Sequence, residues 1–467
     1  MQKNTTNTIV VFNILSTLIL QGLTFFTAPI ISRMLGTDNY GIASVYITWV
    51  SLASTILGIQ TQSTLANARK EYPISEQNQY QSSVFSLSLI TFFGIGFIII
   101  ILQKPILNLT NMDISMLHVL LLHSLGQFSV TFLNTKFTYE FKAKQNFFLT
   151  TGITSSSLIL SLFLIKIMPE NLNYWGRILG LAIPYSFSAV LVTIYLLVKG
   201  RTVFNKGYWG FCVSLCIPIV FHNLSNIVLN QSDRVMIQNM MGNSAAGVYS
   251  LAYSFGSVLS AIWTALNNSW VPFYYEYSRQ KQYEKMMTKA KNYTELFTVL
   301  SLGFILLAPE VFRLFASTEY WNGMDLLPIF AIGFFFMFMY SFPVNYEFYH
   351  KKTKLIAMGT IISAILNIIL NFVLIMYMGI LGAAIATALS YGVQYVFHHI
   401  CASKMIKPEK GEKYFFKITF FLPYLCIFIV TVILWYFIQP FFLIRWSVAI
   451  VLGLFELHQM YKRRTIF

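Results

Sequence analysis

The chain has 467 residues, of which 56% are hydrophobic and only 10% are charged. Soluble proteins carry about 25% charged residues, so this composition excludes an ordinary soluble enzyme or binding domain. The apolar residues form long runs, and a run of about 20 apolar residues crosses a bilayer as a helix that satisfies its own backbone. The sequence therefore predicts an all-α polytopic membrane protein.

Hydropathy predicts about fourteen transmembrane helices. In chain order they span residues 9–31, 42–65, 84–102, 116–137, 147–167, 177–198, 211–234, 246–270, 294–315, 326–347, 355–377, 382–400, 414–437 and 442–460. The N-terminus leads into the first of them without a small-residue cleavage site. We therefore expect this helix to be retained, not removed as a secretory leader.

Basic residues concentrate in alternate connections between these helices. The connections on one side hold most of the 32 lysines and arginines, whereas the other side keeps a few such as Arg33 and Arg177. Because cytoplasmic connections are enriched in Lys and Arg, this asymmetry predicts that both termini are cytoplasmic. The net charge is +15, and we expect the basic residues to interact with anionic membrane lipids and not with nucleic acid.

Short motifs recur at a nearly constant offset. Gly36-x4-Gly41 is followed 206 residues later by Gly242-x4-Gly247. Further pairs at an offset of 206 or 207 are Tyr139-Glu140-Phe141 with Tyr346-Glu347-Phe348, Gly152 with Gly359, and Gly176 with Gly382. Six predicted helices fit one repeat, so both copies enter the membrane from the same side. We predict two pseudo-symmetric six-helix lobes, 1–205 (helices 1–6) and 206–402 (helices 7–12), and two additional helices in 403–467.

The seventh predicted helix carries a polar face. Asn223, Asn226, Asn230 and Asp233 recur every three or four residues, and Arg234 follows the last of them. Such a stripe is costly against lipid, so we expect it to line a polar cavity between the lobes. Polar stripes on helices one, two and eight include Gln21, Thr55, Gln62 and Asn267. The structural alternative is helix packing through polar residues, with Asp233 and Arg234 neutralising each other.

Two further arginines are candidates for binding a phosphate. Arg33 ends the first predicted helix and Arg177 opens the sixth. A guanidinium group can hold phosphate oxygens with two parallel hydrogen bonds, which suits the mouth of a cavity. The alternative is that both side chains reach the membrane interface, where Tyr174 and Trp175 would help to anchor Arg177.

No catalytic machinery is recognisable in the sequence. The chain lacks the Gly-x4-Gly-Lys-Ser/Thr loop that cradles nucleotide phosphates, and adjacent His398 and His399 point different ways on a helix, which makes a poor metal pair. We therefore predict a transporter with no cofactor and no metal site. Asp233 could take up a coupling Na⁺ or H⁺, hold Arg234 in place or bind a sugar hydroxyl.

The two Tyr-Glu-Phe motifs each contain an acid followed four residues later by a lysine. These pairs are Glu140 with Lys144 and Glu347 with Lys351. Residues at this spacing are neighbours on a helix surface, so we expect a salt bridge at each helix end.

Several segments resemble a known family. Pro29-Ile30-Ile31-Ser32-Arg33-Met34-Leu35-Gly36, Asp233-Arg234-Val235-Met236-Ile237 and Gly379-x2-Gly382-Ala383-Ala384 closely resemble bacterial polysaccharide flippases. These belong to the multidrug/oligosaccharidyl-lipid/polysaccharide exporter superfamily. The resemblance implies a V-shaped bundle in which helices one, two, seven and eight line a cationic cavity. By position, Arg33 and Arg234 best match the cavity arginines that relatives use for a diphosphate.

The resemblance also implies a function. The expected substrate is an undecaprenyl-diphosphate-linked oligosaccharide, a repeat unit of capsule or exopolysaccharide. It would move from the inner to the outer leaflet of the bacterial cytoplasmic membrane, alongside glycosyltransferases and a polysaccharide polymerase. The alternatives are an ion-coupled multidrug antiporter of the same superfamily and a lipid II-type flippase. A membrane-bound glycosyltransferase would need paired acids in a large outer loop, and no outer connection is long enough.

Overall fold

The computed structural model describes the backbone of residues 2–405 and 416–463, with side chains from residue 25 onward in those ranges. Within them the chain is helical and contains no strand, which confirms the all-α polytopic prediction. The fifteen α-helices described are α1 Gln2–Leu57, α2 Leu65–Glu71, α3 Gln77–Ile101, α4 Gln103–Thr110, α5 Ile114–Tyr139, α6 Ala143–Ile167, α7 Asn173–Gly200, α8 Lys206–Met241, α9 Asn243–Gln280, α10 Tyr283–Phe315, α11 Leu327–Tyr349, α12 Thr353–Met378, α13 Ile380–Met405, α14 Ile418–Ile438 and α15 Phe442–Arg463.

The first two predicted transmembrane helices are parts of α1, which is interrupted at Gly36. This glycine has φ 68° and ψ 175° inside an otherwise helical stretch. Thirteen helices in the described residues are long and apolar enough to cross a membrane, and α1 is counted among them from Phe25. Helix α1 ends at Leu57, whereas the second predicted helix extends to residue 65. The helix ends earlier because Ile59 and Gln60 adopt a left-handed backbone conformation.

Several helices are longer than the hydropathy predicted. Helix α8 has 36 residues and α9 has 38, against predicted spans of 211–234 and 246–270. At about 1.5 Å per residue, each exceeds a hydrocarbon core of about 30 Å. The ends of both helices therefore extend beyond the apolar layer. Hydropathy did not predict these ends because their side chains are more polar.

Residue contacts divide the chain into two compact units, Met1–Gly247 and Val248–Phe467. In the first unit, α7 packs against α5 and α6, while α1 packs against α5, α6 and α8. Small residues allow these close approaches, since a Cβ at Gly126 would lie 2.8 Å from Ser186 N and one at Gly180 2.6 Å from Ser161 N. Helix α8 groups with this unit, whereas the repeat boundary at 205/206 stays a prediction.

The second unit has an aromatic core. Helix α13 packs against α11 and α12, and α10 packs against α11, α14 and α15. Phe297 of α10 stacks on Phe338 of α11 with ring centroids 4.4 Å apart, and Phe335 stacks on Phe428 of α14 at 4.9 Å. The two C-terminal helices expected from the sequence therefore pack against α10 and α11.

Gly176 and Gly382, which are 206 residues apart, make similar contacts. A Cβ at Gly176 would lie 2.5 Å from Ile165 N, and one at Gly382 would lie 3.0 Å from Ile375 N. Each glycine therefore packs against the end of the preceding helix. Gly152 and Gly359, which are 207 residues apart, differ in their contacts, because Gly152 faces open space while Gly359 lies against the ring of His398.

A buried arginine attaches α15 to α10. Arg445 is 1% exposed, and its Nη1 donates to Leu306 O at 2.6 Å and to Glu310 Oε2 at 2.8 Å. Its Nη2 donates to Glu310 Oε1, and its Nε donates to Gln439 O at 3.1 Å. These hydrogen bonds compensate for the cost of removing the guanidinium group from water, and they link α15 to α10.

We expect Arg445→Leu to lower the free energy of unfolding by about 3 kcal/mol, because Glu310 loses its charged partner and two carbonyl groups lose the guanidinium donor. The measurement is the thermal unfolding midpoint of the purified protein in detergent. The matched control is Arg463→Leu, since Arg463 on the same helix pairs with Glu295 and is 22% exposed. That change should cost less than Arg445→Leu, because both partners are partly exposed to solvent, which screens their interaction. Equal shifts for the two variants would contradict the anchoring role.

Candidate functional site

The polar face predicted on the seventh helix is present on α8. Asn223, Asn226 and Asn230 are half-buried on this face. The amide of Asn230 donates to Asn226 O at 2.6 Å, and the amide of Asn226 lies 3.1 Å from His222 Nε2. Each amide supplies both donors and acceptors, which is the chemistry that recognises hydroxyl groups.

An amide network joins α8 to the end of α1. Asn223 Nδ2 donates to Gln60 Oε1 at 3.0 Å, and Gln62 Nε2 donates to the same oxygen at 2.7 Å. Gln60 Nε2 donates in turn to Thr55 Oγ1 at 3.1 Å. The structure therefore brings the polar residues of predicted helices two and seven together within the first unit.

Asp233 and Arg234 occupy different environments although they are adjacent. Asp233 is 1% exposed and its Oδ1 accepts the main-chain N–H of Arg234 at 2.9 Å. Arg234 is half-buried. Successive residues of a helix point about 100° apart, so the two side chains leave α8 in different directions, and the Nε atom of Arg234 is buried although the residue as a whole is only half-buried.

The two glycine motifs contact each other reciprocally. A Cβ on Gly41 would overlap Asn243 O and lie 3.0 Å from Gly247 N. A Cβ on Gly247 would overlap Thr37 O and lie 3.1 Å from Gly41 N. The second glycine of each motif thus permits direct contact between two main chains, and a hydrogen bond of 2.8 Å from Ser244 Oγ to Thr37 Oγ1 flanks it.

The first glycine of each motif meets a different requirement. Gly36 has φ 68° and ψ 175°, and Gly242 has φ 93° and ψ 175°. Residues that carry a Cβ atom rarely adopt this combination of φ and ψ, which is essentially restricted to glycine. Arg33 is exposed on the helical segment that ends at Gly36, and Arg234 lies on the helix that ends at Gly242.

The remaining candidate residues lie elsewhere. Arg177 is in the first unit, where its Nη1 donates to Ser161 Oγ at 3.1 Å. It interacts electrostatically with His123, whose Nδ1 lies 3.2 Å from Tyr46 Oη. Asn267 is in the second unit, where its Oδ1 accepts the amide of Asn345 at 3.0 Å. Gln21 lies outside the residues whose side chains the structure describes.

The profile of the polysaccharide biosynthesis protein family matches residues 7–278, more than half of the chain. The chain belongs to this family. The MatE profile matches residues 218–373. The resemblance found in the sequence is therefore confirmed, and the chain is a polysaccharide flippase-type member of the multidrug/oligosaccharidyl-lipid/polysaccharide exporter superfamily.

Individual relatives of this family member are distant. A Haemophilus influenzae protein described as "Uncharacterized membrane protein" is 24% identical over 379 residues, 79% of this chain and 87% of that protein. The Haloferax volcanii "Probable low-salt glycan biosynthesis flippase Agl15" is 22% identical over 398 residues, 81% and 79% of the two chains. The structure "Lipid II flippase MurJ, inward closed conformation" has a TM-score of 0.73 at 17% identity and covers 97% of this chain and 99% of that one.

These comparisons identify a multi-pass membrane transporter, in keeping with the prediction that the chain is not an enzyme. The likeness to the solved structure concerns the fold, since identity is only 17%. In the part of the chain that the structure describes, no group of three or more His, Cys, Asp or Glu residues could hold a metal ion.

The predicted salt bridges of the Tyr-Glu-Phe motifs are wrong. Glu140 accepts hydrogen bonds from Lys136 at 2.6 Å and Lys142 at 2.5 Å, because α5 ends at Tyr139 and Lys144 belongs to the next helix. Glu347 Oε2 lies 2.8 Å from His398 Nδ1, and both side chains are fully buried. A carboxyl group in an apolar helix indicated that a polar partner was needed, but the sequence did not locate that partner.

We expect Gly41→Val to cost about 2 kcal/mol of stability, because its side chain would overlap the main chain of Asn243 and the helices would have to separate. The matched control is Gly94→Val, since Gly94 in α3 faces open space. There the change should be nearly neutral. Thermal unfolding midpoints of the two purified variants give the comparison, and similar midpoints would show that the reciprocal glycine contact is dispensable.

Proposed function

We propose that the chain moves an undecaprenyl-diphosphate-linked oligosaccharide, a repeat unit of capsule or exopolysaccharide, from the inner to the outer leaflet by alternating access. The observation that carries this proposal is the amide-lined face of α8, which leads to Asp233 and Arg234. Family membership and the likeness to a protein named as a glycan biosynthesis flippase support it.

The proposed roles follow from the chemistry of the headgroup. Its charges and hydroxyl groups must cross an apolar core of about 30 Å, where each unsatisfied polar group is costly. The amides of Asn226 and Asn230 would replace water around sugar hydroxyls. Arg33 and Arg234 would hold the diphosphate, and the lipid tail would remain in the bilayer. Gln21, Asn267 and Arg177 complete the proposed binding set.

Membrane potential is the driving force that we propose. An inside-negative potential favours outward movement of an anion. A diphosphate with about two negative charges therefore gains roughly 4.6 kcal/mol if it moves outward across the whole field of about 100 mV. A Na⁺ or H⁺ bound at Asp233 is the competing driver.

The proposed setting is the bacterial cytoplasmic membrane with both termini inside, as the distribution of basic residues favours. Glycosyltransferases would have to supply the lipid-linked repeat unit on the inner face. A polysaccharide polymerase would consume it on the outer face.

The second candidate function is ion-coupled multidrug antiport, which the MatE profile match over residues 218–373 favours. A lipid II-type flippase is a third candidate, since the solved structure that carries that title shares the fold. Resistance of producing cells to cationic dyes would indicate the antiporter. Rescue of cells that lack their peptidoglycan precursor flippase would indicate the lipid II substrate.

We expect Arg33→Ala and Arg234→Ala each to abolish surface polysaccharide, because the diphosphate would lose its charge partner in the apolar core. The measurement is surface polymer per cell, together with the amount of each variant in the membrane. The control is Arg279→Ala, since that side chain is 73% exposed and pairs with Glu276 outside the proposed site. Normal polymer from both test variants would contradict the assignment.

We expect Asp233→Asn to retain potential-driven transport in proteoliposomes, because Asn keeps the oxygen that accepts the Arg234 N–H. Flipping of a fluorescent lipid-linked oligosaccharide would be followed under an imposed potential, with and without Na⁺ and pH gradients. If the wild type requires an ion gradient and the variant is inactive, coupling at Asp233 replaces the potential as the driver.

A further inference from the structure

A basic cavity lies at one end of the first unit, separate from the polar face of α8. Its volume is about 280 Å³, and the ends of α2, α3, α5 and α7 and the connection after α5 enclose it. Four cations and a single carboxylate line the cavity, namely Arg69, Lys136, Lys142, Lys199 and Glu140. The cavity therefore carries a formal excess of positive charge.

Two of the four cations form ion pairs with the carboxylate in the wall of the cavity. Lys136 is fully buried and donates to Glu140 Oε1 at 2.6 Å, to Asn78 Oδ1 at 3.3 Å and to Gln81 Oε1. Lys142 donates to Glu140 Oε2 at 2.5 Å. Burial alone would raise the pKa of Glu140, but hydrogen bonds and charges from both lysines outweigh it and lower that pKa to about 2. The carboxylate thus stays ionised and belongs to the wall of the cavity.

The other two cations lie on the exposed rim. Arg69 donates one hydrogen bond from Nη1 to Tyr139 O, and its guanidinium lies 5.8 Å from the ring of Phe141. Lys199 donates to Tyr195 Oη at 3.1 Å. A guanidinium has five N–H groups and an ammonium three, so both side chains keep donors that can face an anion.

Close helix packing holds Lys199 beside the cavity. A Cβ on the next residue, Gly200, would overlap Asn78 O and lie 3.0 Å from Asn78 C. The end of α7 therefore rests directly on the main chain of α3. This contact limits how far Lys199 can move away from Asn78 and the buried Lys136.

Exposed apolar side chains border the same cavity. Ile74 lines it and is 84% exposed, and Phe141 beside Arg69 is 70% exposed. Large apolar groups next to basic residues at the ends of transmembrane helices are typical of the membrane interface, where headgroups meet acyl chains. Basic cavities between helices on the cytoplasmic side are suited to anionic lipid headgroups.

We propose that this cavity binds the phosphate of an anionic phospholipid, which Arg69 and Lys199 hold while Ile74 and Phe141 contact its acyl chains. The inference goes beyond the proposed transport function, because none of these residues belongs to the α8 face. Bound lipid would join the ends of α2, α3, α5 and α7 to the membrane surface.

The test uses the purified full chain and native mass spectrometry with phosphatidylglycerol and phosphatidylcholine of identical acyl chains. We expect Arg69→Gln/Lys199→Gln to weaken phosphatidylglycerol binding about tenfold, or about 1.4 kcal/mol, with little effect on phosphatidylcholine. The matched control is Lys70→Gln/Lys144→Gln, which removes the same charge from exposed residues outside the cavity. This control should bind phosphatidylglycerol like the wild type.

Three results would overturn the proposal. Equal losses in the two double variants would show an unspecific effect of charge. Equal affinity of the wild type for both lipids would exclude headgroup recognition. Displacement of the lipid by inorganic phosphate or a nucleotide-diphosphate sugar at comparable concentration would assign the cavity to a soluble phosphate compound. Surface polysaccharide made by the same variants tests the transport function separately.

Discussion

The reciprocal contact between Gly41 and Gly247 is the constraint on which the geometry of the candidate site depends. Without side chains at these positions, the main chain after the break in α1 meets the first turn of α9 directly. Breaks at Gly36 and Gly242 set the directions of the segments that carry Arg33 and Arg234. Helix α8 then lies against α1, where Asn223 reaches Gln60. The same short motif therefore ends both helical segments that carry the candidate arginines.

Polar groups inside this membrane protein serve two different purposes. Two pairs attach one helix to another: buried Arg445 with half-buried Glu310, and His398 with Glu347, which are both fully buried. Removing one partner of such a pair costs more free energy than forming the pair contributes to stability. These pairs therefore specify which helices pack together. The amides of α8 differ, because they are only half-buried and share their hydrogen bonds within a chain of neutral groups. Neutral, adaptable donors suit a ligand that must bind and leave.

The class of fold was predictable because the bilayer restricts what a long apolar sequence can form. The glycine motifs were also recognisable, since their spacing reflects a backbone requirement and not a side-chain preference. Partners of charged residues were not predictable. Lys144 follows Glu140 at helical spacing, yet the helix ends between them, and His398 reaches Glu347 only after two further helices have formed. Helix ends and rotations depend on tertiary packing, which no local pattern contains.

The different partners of Glu140 and Glu347 have a consequence for biosynthesis. Glu140 can form its ion pair as soon as α5 forms, because it directly follows α5 and Lys136 lies in the last turn of that helix. His398 is synthesised 51 residues after Glu347, so α11 must emerge from the ribosome and approach the lipid with an uncompensated acid. An acid without a partner is costly in the apolar core, so that carboxyl group gains its partner only when α13 arrives. Insertion of the later helices therefore depends on the order in which translation delivers them.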